Sequence, residues 1–137
     1  MEFNGINSMC FACGPENPYG LKLKFTEEGD TYKTVFTPDK HYQGYPGILH
    51  GGLVSTVLDE VMGRWLSSKG IIAPTGKLEV RFKKPIPVEQ PLTLISWMTS
   101  EKGRITEMAA RAILADGTVA AEAKGVFVRL KEHGKRE

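Results

Sequence analysis

The chain has 137 residues, 41% of them hydrophobic and 25% charged, with a formal net charge of +2. That length suits one domain able to bury a core without disulfides or metal. The small charge argues against a nucleic-acid partner, and no apolar run approaches the ~20 residues of a membrane span.

The N-terminal MEFNGINSMC lacks the basic-then-apolar order of a signal peptide, so the expected location is cytoplasmic. Residues 14–20, GPENPYG, form a turn-rich lead-in. LKLKFTEEGD alternates apolar Leu21, Leu23 and Phe25 with lysines and Thr26, which predicts a strand with one wet face. Gly29-Asp30 turns it into a second strand, TYKTVFT. A loop from Pro38 to Gly47 carries His41, Tyr42 and Tyr45, and a helix is expected from Leu49 to Lys69, closed by Gly70 and Pro74.

Strands follow. GKLEVRF alternates Leu78, Val80 and Phe82, and PLTLISWMTS places Leu92, Leu94, Ser96 and Met98 on one face. RITEMAARAIL is rich in helix formers, but the hairpin signals Gly103-Arg104 and Asp116-Gly117 on either side make it a strand. TVAAEAKGVFVRL completes the set, and the mixed-sign RLKEHGKRE is expected to end the chain as a solvated extension. The order β-β-α-β-β-β-β predicts an α+β domain over residues 1–137, its antiparallel sheet of five to six strands wrapped around one long helix. The sheet edges and one helix flank left uncovered invite a dimer.

At 100° per residue, Leu53, Val54, Val57, Leu58, Val61, Met62, Trp65 and Leu66 form the helix's apolar arc. Opposite lies a stripe of Gly52, Ser55, Thr56, Asp59 and Gly63, small except for Asp59, which reads as a contact surface. Glu60 is turned about 100° away, with Arg64 four residues on at the spacing of a helical ion pair. Asp59 has no such partner and is the better candidate for chemistry. Gly51 and Gly52 would open the first-turn amides, which carry the positive end of the helix dipole, to an incoming oxyanion. An oxyanion donor with a carboxylate fits acyl transfer. Yet Gly51 and Asp59 lie roughly 12 Å apart along a helix axis. Two antiparallel subunits would bring Gly51 of one beside Asp59 of the other, giving two sites per dimer.

HGGLVSTVLDE, with its acid nine residues after the histidine, resembles the hotdog-fold thioesterases, the phenylacetate-pathway (PaaI-like) branch in particular. GKLEVRFKKPIP and the lead-in CFACGPENPYGLKLKF extend the likeness over nearly the whole chain. The resemblance implies a hotdog fold, hydrolysis of acyl-CoA and no cofactor. It makes Asp59 the nucleophile or the general base, and Gly51, with Gly52 beside it, the donor that polarises the thioester carbonyl. His50 would position the carbonyl or hold the loop, and Thr75 would orient water or the carboxylate. Gln43 is the amide nearest the position where related enzymes carry Asn or Gln. Arg81, Lys83 and Lys84 cluster where coenzyme A phosphates would dock, or form a wet strand end. Trp65, Trp97 and Phe127 are expected in the core. Dimers, or tetramers built from two dimers, are both open.

The single pair Cys10 and Cys13 offers neither a disulfide scaffold nor the four ligands usual for zinc, so no metal is expected. A second reading keeps the same pocket as a non-catalytic acyl-CoA binding module. A third, hydratase chemistry, would need an Asp/Glu–His pair arranged differently.

Overall fold

Hairpin chemistry sets the order of the sheet. In the computed structural model, which describes residues 9–130, the strands are β1 (Thr26–Glu28), β2 (Thr31–Phe36), β3 (Thr75–Phe82), β4 (Leu92–Lys102), β5 (Ile105–Ile113) and β6 (Val119–Val128). Helix α1 (Gly51–Ser68) lies between β2 and β3, preceded by a 3-10 turn at Lys40–Tyr42. Gly103 and Gly117, at φ of +58° and +90°, make the turns that fold β4, β5 and β6 into consecutive antiparallel neighbours. The sheet order is β1-β2-β4-β5-β6-β3, antiparallel throughout, which leaves β3 as an open edge. This is the expected hotdog arrangement. The signal-peptide reading of the first residues and the tail reading beyond Leu130 fall outside the described residues.

The alanines that gave residues 104–114 a helical look have a packing role instead. Ala110 pairs with Ala123 and Ala112 with Ala121 across β5 and β6, and all four are buried. They form a low floor on which the helix can approach the sheet closely. Val54, Val57, Leu58, Val61, Met62 and Leu66 of α1 are buried there. Each contributes about 1.5–3 kcal/mol by leaving water, which outweighs the ~1 kcal/mol that each glycine costs the helix. Phe127 is also buried, and Leu53 and Trp65 pack at the margin.

The helix ends are defined by local chemistry. The helix begins at Gly51, two residues later than the expected start; His50 is the N-cap, and its Nδ1 accepts the Gly52 N–H at 2.9 Å. The entry is strapped on both sides: Leu49 N–H donates to Ile86 and His50 N–H to Tyr42. At the other end, Gly70 N–H reaches Ser67 and Ile71 N–H reaches Leu66, the paired bonds of a Schellman motif. In mid-helix the buried Ser96 hydroxyl donates to the Val61 carbonyl at 2.6 Å. No described helix is long and apolar enough to cross a membrane.

Three expectations are corrected. The first strand shrinks to Thr26–Glu28, because Lys22 adopts φ +56° and residues 21–23 bond to the lead-in, Leu21 to Phe11 and Leu23 to Ala12. The alternation was real, but its partner is a loop. Met98 remains exposed, at a register shift between Met98 and Ser100 that bends β4. Trp97 leaves the core for the outer face of the sheet, where the Arg111 guanidinium lies 5.3 Å from its ring.

Candidate active site

Two groups of polar atoms are built on α1 and β3. Thr75, the first residue of β3, donates its hydroxyl to Asp59 Oδ1 at 2.8 Å. Asp59 is half-buried, and that desolvation holds its carboxyl above the ordinary aspartate range; the Thr75 bond pulls the other way. The result is a carboxylate with a hydroxyl to orient it and no cation to neutralise it, among the described residues.

The second group is the helix start. Both glycines are exposed, but their amides are not equivalent: the His50 ring occupies the Gly52 N–H. Among the described residues the Gly51 N–H has no acceptor, so it is the amide free to receive an oxyanion. The same bond makes Nδ1 the acceptor, which leaves the neutral ring protonated at Nε2. A Cβ on Gly51 would meet only the Phe82 ring at 3.7 Å, whereas one on Gly52 would press on His50 Nδ1 at 3.2 Å. Within one chain, therefore, packing does not demand glycine at 51.

A cleft of about 700 Å³ opens in front of Gly51. Its walls include Tyr45, Ile48, Val54, Phe82 and Ile86, and Lys83 and Lys84 stand at its side. An apolar wall with cations beside it suits an acyl or pantetheine arm whose far end carries phosphate. Phe82, Tyr45 and Ile48 are lining residues that sequence reasoning did not select; the exposed aromatic at the end of GKLEVRF was the available signal. Gln43 does not reach into the cleft lining. Its side-chain carbonyl accepts the Gly47 N–H at 2.9 Å, shaping the loop that precedes the helix.

The basic cluster is divided. Lys84 lines the cleft, Lys83 lines it while bonded to Glu122 at 3.2 Å, and Arg81 points to the opposite face of the sheet beside Trp97. Period-two alternation puts Arg81 on the face opposite Phe82 and Lys84, while Lys83 reaches Glu122, which borders the Arg81 face, so the three cations do not form one cluster in the cleft. The small-residue stripe also divides: a Cβ on Gly63 would lie 3.3 Å from Phe127, so that glycine makes room for the core.

Asp59 is absent from the cleft lining, and the helical rise keeps it about 12 Å from Gly51. Each lies near one end of β3: Asp59 bonds Thr75 at its beginning, and Gly51 abuts Phe82 at its end.

Glu60 departs most from expectation. Instead of an ion pair with Arg64, it meets Cys10, whose Sγ lies 4.0 Å from Oε2. Arg64 Nη1 is buried with no hydrogen-bond partner among the described residues. Burial pushes the Glu60 carboxyl up, while Cys13 and Arg64 pull it down. Burial and the Glu60 charge push the Cys13 thiol well above its ordinary value.

Residues 46–121 match the model of the Thioesterase superfamily, and the chain belongs to that family. Acyl-coenzyme A thioesterase THEM4 of Bos taurus is 30% identical over 123 residues, 88% of this chain and 51% of the relative. The chain thus spans about half the length of this curated relative. A solved thioesterase superfamily protein superposes with a TM-score of 0.83 at 31% identity, over 91% of this chain and 63% of the other. The PaaI protein of the E. coli phenylacetic acid degradation operon shares the fold, with a TM-score of 0.74 at 16% identity over 80% of each chain.

Proposed function

We propose that the chain is an acyl-CoA thioesterase whose active site is completed across a two-fold axis between subunits. Acyl-CoA and water would give a carboxylic acid and free coenzyme A. The observation that carries this reading is the placement of the two polar groups at opposite ends of an unpaired edge strand. β3 extends about 23 Å from Thr75 to Phe82. Two β3 edges joined antiparallel would bring Thr75 of one beside Phe82 of the other. Asp59 with its hydroxyl would then face the free Gly51 amide and the cleft of its mate. The relative named as an acyl-coenzyme A thioesterase supports the substrate class.

In that assembly the thioester carbonyl oxygen lies against Gly51 N–H at the positive end of α1. Asp59 of the partner subunit acts as nucleophile or as general base on water, and Thr75 holds its orientation. The His50 bond to Gly52 fixes the loop and leaves the neighbouring amide free. Lys84 and Lys83 lie where the nucleotide end of coenzyme A would leave the cleft.

Subunit mixing tests the assembly directly. Gly51→Pro and Asp59→Asn homodimers should each be nearly inactive. A heterodimer of the two carries one intact site, Gly51 from one chain with Asp59 from the other. Co-expression with different affinity tags should recover up to half of the wild-type turnover per dimer. No recovery in a purified heterodimer would overturn the shared site.

A further inference from the structure

The residues that the thioesterase reading leaves unused gather on the other flank of α1. Cys10 and Cys13 belong to the N-terminal segment, Glu60 to the helix, and all three are half-buried where the two cross. One sulfur from each cysteine and one carboxylate oxygen lie within 4.8 Å of one another. A tetrahedral ion holding sulfur at ~2.3 Å and oxygen at ~2.0 Å separates its ligands by about 3.5–3.8 Å. The observed 4.0 Å between Cys10 Sγ and Glu60 Oε2 is close to that spacing before any ion draws the ligands together.

The turn that carries the cysteines also brings their side chains together. Gly14 N–H donates to the Cys10 carbonyl at 2.8 Å, closing the turn, and Cys13 N–H points at Cys10 Sγ at 3.5 Å. Two thiolates and a carboxylate around a divalent ion leave one negative charge. Arg64, one turn along the helix from Glu60, supplies the opposite charge with a buried and unbonded Nη1. Oxidation of the pair to a disulfide would leave both Glu60 and Arg64 without a role.

We propose that Cys10, Cys13 and Glu60 form a site for a thiophilic divalent cation of the zinc class, which fastens the N-terminal segment to α1. The ion takes three protein ligands and keeps one position for water. Binding releases the two thiol protons to solvent. It also closes a long loop in the unfolded chain, so binding free energy adds to folding free energy. The site is independent of the hydrolytic reading: it uses neither Asp59 nor Gly51.

Cobalt(II) gives a direct readout because thiolate coordination is visible in its absorption spectrum. Reduced, chelator-treated full-length protein should bind one Co²⁺ per chain with a sulfur-to-metal charge-transfer band and tetrahedral ligand-field bands. Zn²⁺ should displace it, shield both thiols from a thiol reagent and raise Tm. Cys13→Ser should lose the band. Glu60→Gln, close in shape and thus a control for folding, should keep the band but bind at least ~10-fold more weakly. A reduced wild type that takes up no stoichiometric Co²⁺ and shows no Tm response to Zn²⁺ overturns the proposal. Unchanged affinity in Glu60→Gln overturns the three-ligand site.

Discussion

Asp59 and Glu60 are consecutive residues whose surroundings differ in almost every respect. Both carboxyls are lifted by desolvation, yet Asp59 is bonded to the Thr75 hydroxyl beside an open sheet edge, whereas Glu60 is enclosed by thiols and a guanidinium. One side of the helix presents its acid to whatever lies across β3; the other turns its acid toward the protein's own N-terminal segment. Burial alone therefore does not distinguish the carboxylate proposed to react from the one proposed to hold an ion. The partner atoms, and what remains open beyond them, make the difference.

Neutralising each acid in turn strains that comparison hardest. Asp59→Asn should lower kcat by ~10²–10⁴ for loss of a nucleophile or base, while Tm holds or rises. The rise follows from the sign of the shift: a carboxyl raised in the folded state costs stability fully above its folded pKa, and that cost fades as pH falls through it. The amide removes the cost and can still accept from Thr75. Glu60→Gln, by contrast, should leave kcat within about threefold, since no step of the proposed reaction uses it. Equal losses in steady-state assays of the two variants would erase the distinction drawn between them.

Gly51→Pro is expected to cost ~10²–10³ in kcat, the scale of a lost oxyanion donor, because proline deletes the helix-start amide that has no acceptor among the described residues. Position 51 is the first helical residue, where proline is favoured, and His50 at φ −58°, ψ 133° already has the backbone a following proline requires. Circular dichroism should show an intact helix; a helix lost with the activity would leave no support for the amide's role. A smaller effect belongs to Thr75→Val. The hydroxyl lowers the Asp59 pKa, so removing it should raise that pKa further and move the acid limb of the kcat/KM profile to higher pH. A limb that stays in place would detach Thr75 from the reacting acid. Smallest is Lys84→Ala, which should raise KM a few-fold for a coenzyme A thioester but not for its pantetheine counterpart. Arg81→Ala, on the opposite face, should change neither.

Much of this was legible in the sequence. Alternation and hairpin signals located the strands, and the helical wheel separated Asp59 from Glu60. The rise per residue separates Gly51 from Asp59 by about 12 Å, the spacing on which the proposed shared site rests. What escaped were long-range meetings that no period encodes. Leu21 and Leu23 alternate as a strand should, yet bond to Phe11 and Ala12 in the lead-in. Arg64 stood at ideal spacing for Glu60, but the N-terminal segment brought sulfur to that carboxylate first. Arg81, Lys83 and Lys84 are close in sequence, yet the strand's two-residue period sets Arg81 on the face opposite Lys84, and Glu122 holds Lys83 between them.

The Ser96 hydroxyl, buried against the Val61 carbonyl, governs the angular setting of α1. The buried apolar arc of the helix resists both separation and rolling, and this bond adds direction to that packing. A helix turned by one residue, about 100°, in the sense that brings Glu60 to β3 would carry Asp59 a further 100° away from that edge. A single directional bond beside these residues ties the helix to β4 at one angle. Ser96 thus works as a dowel beside the apolar arc, helping to hold Asp59 rather than Glu60 toward the open edge.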